Sequence, residues 1–446
     1  MKEFLSSLKA NHSLIIVKEN VHPDFQISSI LCKFQDHPFL FENVHGSSFG
    51  VAGNLLATRE NIELGLRMKK GTLLGSLENA IKNPTPKGRV SSFKKSDWEF
   101  DGEADLSKLP ILKHFENDAG NYLTAGIVAA KFPGTDSENL SFHRMLVLSK
   151  NKVAARIVPR HLNQIAKEIG GRVPISLIIG PPPEVFVSAS LQLQYGISEY
   201  DIANSLSGGT LELVSSESSD ISVPRDSEFV LEGFIDFSEL VDEGPFVDLT
   251  GTYDGIRKQP VITFDRMHYS SGAVYQAVVA SSREHSMFMG LPQELKIRDV
   301  LSKSIPKFRG INLTPAGSGY FHCIVSIEKS SDGDGKTAIL NCFAASHPLK
   351  FVIAVDSDID PFDLSAVEWA LSTRFQAVNG LIEVNGARGS SLDPSSGKSG
   401  VTSKIGLDAT LPLNLDRKKF DRAKIPQNPG TRELLTNLEK RITGEP

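Results

Sequence analysis

In the segment DEGPFVDLTGTYDG at residues 242–255, the acidic residues Glu243 and Asp248 lie five residues apart around a Gly-Pro turn. Two carboxylates that flank a turn can face the same cleft, where crowding and burial keep a proton available for donation. An acidic turn that stands alone is most often exposed to solvent. The segment therefore predicts a general acid only in combination with other parts of the chain.

A second candidate is the stretch 138–171, which reads ENLSFHRMLVLSKNKVAARIVPRHLNQIAKEIGG. Its pattern predicts a β-hairpin that feeds a helix beginning near His161 and ending at a Gly-Gly pair. The cations Arg144, Arg156 and Arg160 would gather near the start of that helix, where free backbone amides favour phosphate. Taken by itself, the stretch is equally well explained as a surface hairpin with scattered basic residues.

A third candidate is YGISEYDIANSLSGG at 195–209, where Ser198 opens a helix with a capping-box pattern. Glu199 at this position would favour the positive end of the helix dipole even without a functional role. Together with Asn139 and His161, however, it offers an amide oxygen, an imidazole nitrogen and a carboxylate. This set suits Mn2+ or Mg2+ better than soft metals and leaves positions open for phosphate and water.

Composition narrows the class of protein. The 446 residues are 40% hydrophobic and 23% charged, which is ordinary for a globular protein of two or three domains. A net charge of −5 gives no general attraction to nucleic acid or anionic lipid, so an anionic ligand needs a local cationic site. The motifs GxxxxGK[ST] and HExxH and a GxGxxG after a strand are absent, which excludes the commonest NTPase, zinc-protease and dinucleotide sites.

The cysteines and the hydropathy pattern indicate a cytoplasmic protein. The three cysteines lie far apart without CxxC spacing, which argues against a disulfide framework or a structural zinc site. The first residues lack a sustained apolar segment, and no later stretch approaches the roughly 20 apolar residues of a membrane span.

Three regions are predicted to position these candidates. Residues 1–104 have mixed helix and strand patterns and end in a polar, proline-containing stretch. Residues 105–304 are dominated by β-branched and aromatic runs, including GAVYQAVVAS at 272–281, which predict a barrel or strongly curved sheet. Residues 305–446 alternate strands and helices, with Ser365 and Thr431 as expected N-caps of two helices. The expected fold class is therefore α/β (α+β) with three domains.

Taken in order, the motifs resemble those of the UbiD family. The series is Asn-x4-Arg at 139–144, His161 at a strand-helix junction, SEY at 198–200, EGPF.D.TG.Y at 243–253 and SGVTSKIGLDAT at 399–410. The resemblance runs through most of the chain. It implies an N-terminal α/β domain at 1–104, a central flavin-reductase-like split β-barrel at 105–304 that binds prenylated FMN and metal, and a C-terminal α/β oligomerisation domain with a terminal helix at 305–446.

The resemblance also implies roles for individual residues. Asn139, His161 and Glu199 match the ligands of the divalent metal, Mn2+ or Mg2+, that bridges to the flavin phosphate. Arg144, Glu243 and Asp248 match the catalytic network of a carboxy-lyase, in which Asp248 delivers a proton to the carbon that loses CO2. The cofactor-binding positions are Phe142, His143, Arg144, Arg156, Ile157, Val158, His161, Leu162, Ala189, Ser190, Leu191 and Lys404, with a K+ ion held by backbone around Ala189 to Leu191 and the flavin phosphate contacted by Lys404.

The implied reaction is non-oxidative decarboxylation of an α,β-unsaturated or aromatic acid. His143 before Arg144 is similar to an archaeal branch in which one substrate is trans-anhydromevalonate 5-phosphate, giving isopentenyl phosphate for isoprenoid synthesis. Polyprenyl 4-hydroxybenzoate is the alternative substrate, and a non-catalytic flavin-binding subunit is the alternative function. Val247 and Thr252 depart from the family's usual loop. The expected partners are a flavin prenyltransferase that supplies the cofactor and further copies of the chain in a dimer or hexamer, without nucleic acid or membrane.

Overall fold

The computed structural model describes residues 1–396, 400–423 and 425–443, so part of the predicted C-terminal domain, at 397–399, 424 and 444–446, lies outside the described residues. The described helices are α1 (Lys2–Ala10), α2 (Gln26–Lys33), α3 (Arg59–Gly65), α4 (Leu73–Lys82), α5 (His161–Ile169), α6 (Pro183–Ala189), α7 (Glu199–Leu206), α8 (Arg283–Ser304), α9 (Asp334–Ala345), α10 (Leu364–Arg374), α11 (Ala377–Gly380) and α12 (Pro429–Thr443). None of them is long and apolar enough to cross a membrane.

The strands alternate with these helices in the mixed fold class that the sequence predicts. They are β1 (Ile15–Val21), β2 (Phe39–Val44), β3 (Gly50–Gly53), β4 (Phe100–Glu103), β5 (Tyr122–Leu123), β6 (Ile127–Lys131), β7 (Glu138–Phe142), β8 (Met145–Val147), β9 (Lys152–Ala155), β10 (Arg172–Ile179), β11 (Leu213–Ser215), β12 (Ser222–Pro224), β13 (Phe229–Glu243), β14 (Phe246–Val247), β15 (Tyr253–Asp254), β16 (Arg257–Tyr269), β17 (Val274–Ala277), β18 (Phe308–Leu313), β19 (His322–Ile327), β20 (Phe351–Asp356), β21 (Leu381–Arg388) and β22 (Val401–Asp408).

The first sheet has the order β1-β2-β3-β17. Strand β17 runs parallel to β3, with Val274 opposite Gly50 and Ala277 opposite Gly53. The prediction that the 272–281 run belongs to the curved sheet is therefore wrong. An alternating apolar pattern specifies a strand with a buried face, but it does not specify which sheet the strand joins.

The second sheet is antiparallel and curls into a half-barrel with the order β5-β8-β9-β16-β13-β10-β6-β7, and β4 adds to β16. Its spine is the long pair β13 and β16, which is bent by register shifts between Glu232 and Gly233 and between Asp236 and Leu240. Such bulges increase local twist and curvature, as a barrel wall requires. The apolar faces of this sheet and of the first sheet pack into shared hydrophobic clusters. The predicted split-barrel architecture is confirmed.

The third sheet, β18-β19-β20-β22-β21, has a parallel centre with helices α9 and α10 against it. The two predicted helix caps in this region are wrong. Asp363 caps α10 by accepting from the Ala366 amide at 3.0 Å, and α12 begins at Pro429 with the Asn428 side chain accepting from the Thr431 amide at 2.9 Å. In each case a polar side chain earlier in the loop reaches the free amide first.

Candidate active site

Arg144 lies between strands β7 and β8 and forms a fork with Glu243, the last residue of β13. The guanidinium Nε donates to Glu243 Oε1 at 2.9 Å and Nη2 donates to Oε2 at 3.0 Å. Glu243 is fully buried and the Arg144 side chain is 9% exposed. A two-point pair of this kind fixes the plane of the guanidinium as well as its charge.

Two further carboxylates from the following loop reach the same guanidinium. Nη1 of Arg144 donates to Asp248 Oδ2 at 2.7 Å, and Nη2 donates to Asp254 Oδ2 at 3.1 Å. Asp248 directly follows β14 and Asp254 ends β15, so the β14–β15 hairpin presents both to Arg144. The turn into this hairpin begins at Gly244, whose φ of +98° suits a residue without Cβ.

Among the described residues, this arrangement leaves one N–H group of Arg144 without an acceptor. An arginine carries five N–H groups, and four of the five are used by Glu243, Asp248 and Asp254. The remaining N–H belongs to Nη1, the nitrogen that also bonds Asp248. An acid substrate that accepts from it would have its carboxylate beside Asp248.

Three residues of this network were not predicted from the sequence. Asp254 lies in the same 242–255 segment as Glu243 and Asp248, and this further acidic residue could have been noticed from the sequence. Tyr122, whose hydroxyl donates to Glu243 Oε1 at 3.1 Å, and Phe246, whose ring centroid is 5.1 Å from the Arg144 guanidinium carbon, carry no such signal. Burial opposes ionisation of Asp254, but the hydrogen bond from Arg257 and the charge of Arg144 outweigh it and lower the pKa of Asp254.

The departures of the loop from the family pattern are accommodated within the same hairpin. Val247 is 2% exposed, and its amide donates to Asp118 Oδ1 at 3.3 Å. The Thr252 carbonyl accepts from the Asp248 amide at 3.0 Å, which closes the turn. Asp248 is thereby anchored through its backbone, while its side chain stays on Arg144.

A second cluster contains two of the three predicted metal ligands. Asn139 lies on β7, and Glu199 opens α7, which packs on β7. The Asn139 amide nitrogen is 3.3 Å from Glu199 Oε1, and the Leu140 backbone amide donates to Glu199 Oε2 at 2.7 Å. Ser198 caps α7 as predicted, although its hydroxyl also donates to the Glu138 carbonyl at 2.7 Å.

The charge of Glu199 is poorly compensated by the protein. Its side chain is 1% exposed, and burial raises its pKa to about 8. Among the described residues it forms no ion pair, since the nearby Lys87 pairs with Glu138 instead. A buried carboxylate with an adjacent amide oxygen and no cationic side chain fits a hard divalent cation, which prefers oxygen ligands.

His161 does not join this pair directly. It is the first residue of α5, a helix that packs near β7. Within the described part of the chain its imidazole forms a ring contact with Tyr195, at 5.5 Å between centroids, and no hydrogen bond to Asn139 or Glu199. Burial and the neighbouring Arg160 lower the pKa of His161, which favours the neutral, ligating form.

Several other predicted cofactor positions lie at the end of β7, after β9 and in α5. His143 bridges the Ser141 hydroxyl at 2.9 Å and the Arg156 carbonyl at 3.1 Å, which fixes β7 to the residues after β9. The Ile157 amide donates to Gln259 at 2.9 Å. Phe142 packs on Phe186, Leu162 is buried in the core, and Val158 is 37% exposed.

The remaining predicted positions lie in two other elements. Ala189 ends α6 and Ser190 and Leu191 follow it, with the Ser190 hydroxyl donating to the Val187 carbonyl at 2.7 Å. Lys404 lies on β22 of the third sheet and donates to the His347 and Leu349 carbonyls, both at 2.7 Å. Burial lowers the pKa of Lys404 to about 8. No ion pair of Lys404 occurs within the described residues.

The described residues contain another cluster of ligand-type side chains that the sequence did not indicate. Asp101, Glu217 and His268 hold ligand atoms within 4.8 Å of one another. Lys95 and Arg266 already pair with Asp101, and Arg266 also pairs with Glu217 at 2.7 Å. Because these cations neutralise the carboxylates, the cluster is an ion-pair network that ties β4 to β16.

The chain matches family models along most of its length. Three models of 3-octaprenyl-4-hydroxybenzoate carboxy-lyase match in succession: the N-terminal domain at residues 5–81, the Rift-related domain at 88–283 and the C-terminal domain at 286–409. Most of the curled sheet and the whole Arg144 network thus lie within a region that matches a carboxy-lyase family.

Individual proteins and solved structures that resemble the chain belong to the same group of decarboxylases. The chain is 40% identical to anhydromevalonate phosphate decarboxylase of Methanothermobacter thermautotrophicus, covering 95% of this chain and 99% of that protein, and 38% identical to the Methanosarcina mazei enzyme of the same name, covering 96% and 99%. The UbiD-class enzyme HmfF from Pelotomaculum thermopropionicum in complex with FMN superimposes with a TM-score of 0.92 at 34% identity, covering 97% of this chain and 98% of that chain. The chain belongs to the UbiD family, and it is a carboxy-lyase.

Proposed function

We propose that the protein removes CO2 from trans-anhydromevalonate 5-phosphate and releases isopentenyl phosphate, as a step of isoprenoid synthesis. The proposal rests on the Arg144 network together with similarity to anhydromevalonate phosphate decarboxylases of 34–40% identity over nearly the full chain. An arginine with one N–H left beside a carboxyl group suits binding of a substrate carboxylate next to a proton donor.

The chain's own residues would act in the following way. Arg144, held in plane by Glu243 and Asp254, orients the carboxylate of the acid through its spare Nη1 N–H. Asp248 accepts from the same nitrogen at 2.7 Å, so a proton that it carries would lie beside the carboxylate that Arg144 binds. Glu243 acts through Arg144, because its two oxygens are occupied by the guanidinium and by Tyr122. The hairpin therefore holds the acid and the carboxylate-binding group in one rigid unit.

Prenylated FMN is the proposed cofactor, and a bound form of it occurs in an evolved dimeric form of HmfF, which is 31% identical with a TM-score of 0.87. When bound, its ring would accept the electrons released as CO2 leaves. Asn139, Glu199 and, after a rotation of its side chain, His161 would hold Mn2+ or Mg2+ at the flavin phosphate. Lys404 would contact the same phosphate, and the backbone of Ala189 to Leu191 would hold K+.

The proposal also includes the source of the cofactor, the cellular compartment and the assembly of the enzyme. A flavin prenyltransferase supplies the cofactor, and the protein acts in the cytoplasm. The chain also assembles with further copies of itself, since Leu434, Leu435 and Leu438 leave an apolar stripe on α12 that is 37–59% exposed.

The experiment is CO2 release by protein reconstituted with prenylated FMN and Mn2+, with trans-anhydromevalonate 5-phosphate and polyprenyl 4-hydroxybenzoate assayed in parallel. Turnover of the phosphorylated acid, lost in Asp248→Asn while cofactor absorbance is retained, supports the proposal. Turnover of the hydroxybenzoate alone would replace the substrate. No CO2 from either acid, with cofactor bound, would favour a flavin-binding subunit.

A further inference from the structure

An ion pair at the end of the β14–β15 hairpin lies beside the Arg144 fork. Arg257, the first residue of β16, donates from Nη2 to Asp254 Oδ1 at 2.6 Å, and the Gly255 amide donates to the same oxygen at 2.9 Å. The other oxygen of Asp254, Oδ2, accepts from Nη2 of Arg144 at 3.1 Å. Asp254 therefore bridges two guanidinium groups.

The hydrogen-bonded groups at this hairpin contain more acids than cations. Arg144 and Arg257 supply two positive charges. The acids bound to them would supply three negative charges if all were ionised, and they are Glu243, Asp248 and Asp254. Crowded carboxylates with too few cations favour retention of a proton, because the charges already present oppose ionisation of the last acid. One of the three acids is therefore expected to hold a proton.

The contacts of the three acids select Asp248 as the holder of that proton. Glu243 accepts two N–H groups of Arg144. Asp254 accepts from two different arginines, as described above. Asp248 accepts one N–H of Arg144, and its other oxygen accepts the backbone amide of Leu249 at 2.7 Å. Asp248 thus has the least positive charge bound to it, so a proton is most stable there.

The other titratable groups that face the hairpin do not change this order. Burial raises the pKa of Tyr122 and of Tyr320 and lowers that of His285, so all three are neutral near pH 7. Burial and the repulsion of nearby arginines lower the pKa of Arg156, and among the described residues it donates no hydrogen bond to the three acids. The cations that are hydrogen-bonded to the acids are therefore the two arginines of the hairpin.

We propose that Asp254 and Arg257 are positioning residues that keep the proton of the network on Asp248. The inference rests on the proposed function, in which Asp248 is the proton donor. Arg257 neutralises Asp254, so Asp254 does not compete for the proton. The charge of Asp254 in turn balances Arg257, which would otherwise favour the ionised form of Asp248. Both residues act through the network and do not contact the substrate.

The first arm of the experiment locates the proton in the cofactor-free protein. The infrared carbonyl band of protonated carboxyl groups is recorded against pH, and the part that disappears in Asp248→Asn is assigned to Asp248. Arg257→Gln removes a positive charge, so the band should persist to a pH about one unit higher than in wild type. Asp254→Asn removes a negative charge, so the band should vanish at a pH about one unit lower.

The double variant Asp254→Asn/Arg257→Gln tests whether the two residues act through their charges. It removes one charge of each sign, so its band should titrate close to that of wild type, whereas purely structural damage would add up. Arg257→Lys keeps the charge and should also resemble wild type. Arg172→Gln is the matched control, because it removes a 67% exposed arginine that pairs with Asp236 elsewhere on the same sheet. Shifts of the same sign in both single variants, or no shift, would overturn the proposal.

The second arm measures CO2 release from the phosphorylated acid by the reconstituted enzyme as a function of pH. The alkaline limb of the kcat profile should move to higher pH in Arg257→Gln and to lower pH in Asp254→Asn, with KM nearly unchanged. If the infrared band moves as expected but wild type releases no CO2, the positioning role stands and the proposed reaction is wrong. If wild type releases CO2 and neither single variant moves the band, the reaction stands and the positioning role is wrong.

Discussion

Glu243 and Glu199 are equally buried, at 0% and 1% exposed, yet their surroundings are opposite. Glu243 receives two N–H groups of Arg144 and the hydroxyl of Tyr122. Glu199 receives one backbone amide and the side-chain amide of Asn139, both neutral. The first carboxylate has its counter-charge in the chain, whereas the second depends on a ligand for it. The Arg144 network therefore contributes to the stability of the protein without a ligand, whereas the Glu199–Asn139 pair favours binding of a cation.

The largest expected effect is that of Arg144→Met, which removes the ion-pair partner of the buried Glu243 and of Asp248 and leaves Asp254 paired with Arg257. We expect a loss of about 3–5 kcal/mol in the free energy of unfolding, because one partner of a buried ion pair is removed. Urea denaturation measures it. Arg257→Met, which removes a 43% exposed partner of Asp254, is the matched control and should cost about 1 kcal/mol or less. Equal losses in the two variants would show that the network is not shielded from water.

Whereas Arg144→Met should destabilise the protein, Glu199→Gln should stabilise the metal-free protein at high pH. Because the folded pKa of about 8 lies above the ordinary value for Glu, the wild type loses stability as pH rises from the unfolded pKa toward 8. The variant avoids that loss, so without metal it should unfold at higher urea than wild type near about pH 9 and at similar urea near about pH 4. Its affinity for Mn2+ should fall by about a hundredfold. A variant that is less stable than wild type at the higher pH would contradict the comparison.

The pH dependence of metal affinity offers a sharper test of the same pair. A metal ligand must lose its proton, so Mn2+ affinity in wild type should rise by about tenfold per pH unit up to about pH 8 and then level off. Calorimetric titration at several pH values measures the slope. Glu199→Gln should reduce the slope, and an unchanged slope would mean that another group controls the affinity.

The smallest effect is expected for Tyr122→Phe, which removes one hydrogen bond to Glu243 and leaves the Arg144 fork intact. The loss should be about 1 kcal/mol in the free energy of unfolding, with kcat lowered only a few-fold. Tyr253→Phe is the control, because that ring is 43% exposed and its hydroxyl accepts only the Asn117 amide in the described structure. A loss in Tyr122→Phe as large as that in Arg144→Met would show that Tyr122, and not Arg144, holds Glu243.

Much of the fold and part of the site could be predicted because local patterns were strong. The β8–β9 hairpin, helix α5 and the cap at Ser198 follow from periodicity and turn residues within a few positions. The motif order predicted that Arg144, Glu243 and Asp248 belong to one network, and the structure brings these three side chains together. Their catalytic roles and the domain boundaries at 104 and 304 stay predictions.

The features that were not predicted depend on contacts distant in sequence. Tyr122 meets Glu243 only because β5 and the end of β13 are brought together by the curl of the sheet. The sequence of β17 has the apolar pattern of any buried strand. Its pairing with β3 depends on tertiary packing, which that pattern does not specify. Ile169 has the helical spacing of the buried residues Leu162, Ile165 and Ala166, yet it is 40% exposed because α5 ends there. Local periodicity contains none of this information.

The pairing of β17 with β3 has a consequence for how the protein is made. The first sheet lacks its fourth strand until residue 277 has left the ribosome, so the edge of β3 stays open while the whole curled sheet is synthesised. An open strand edge can pair with other chains. We therefore expect fragments that end before β17 to aggregate, and fragments that extend through α8 to remain in solution, when both are expressed and fractionated by centrifugation.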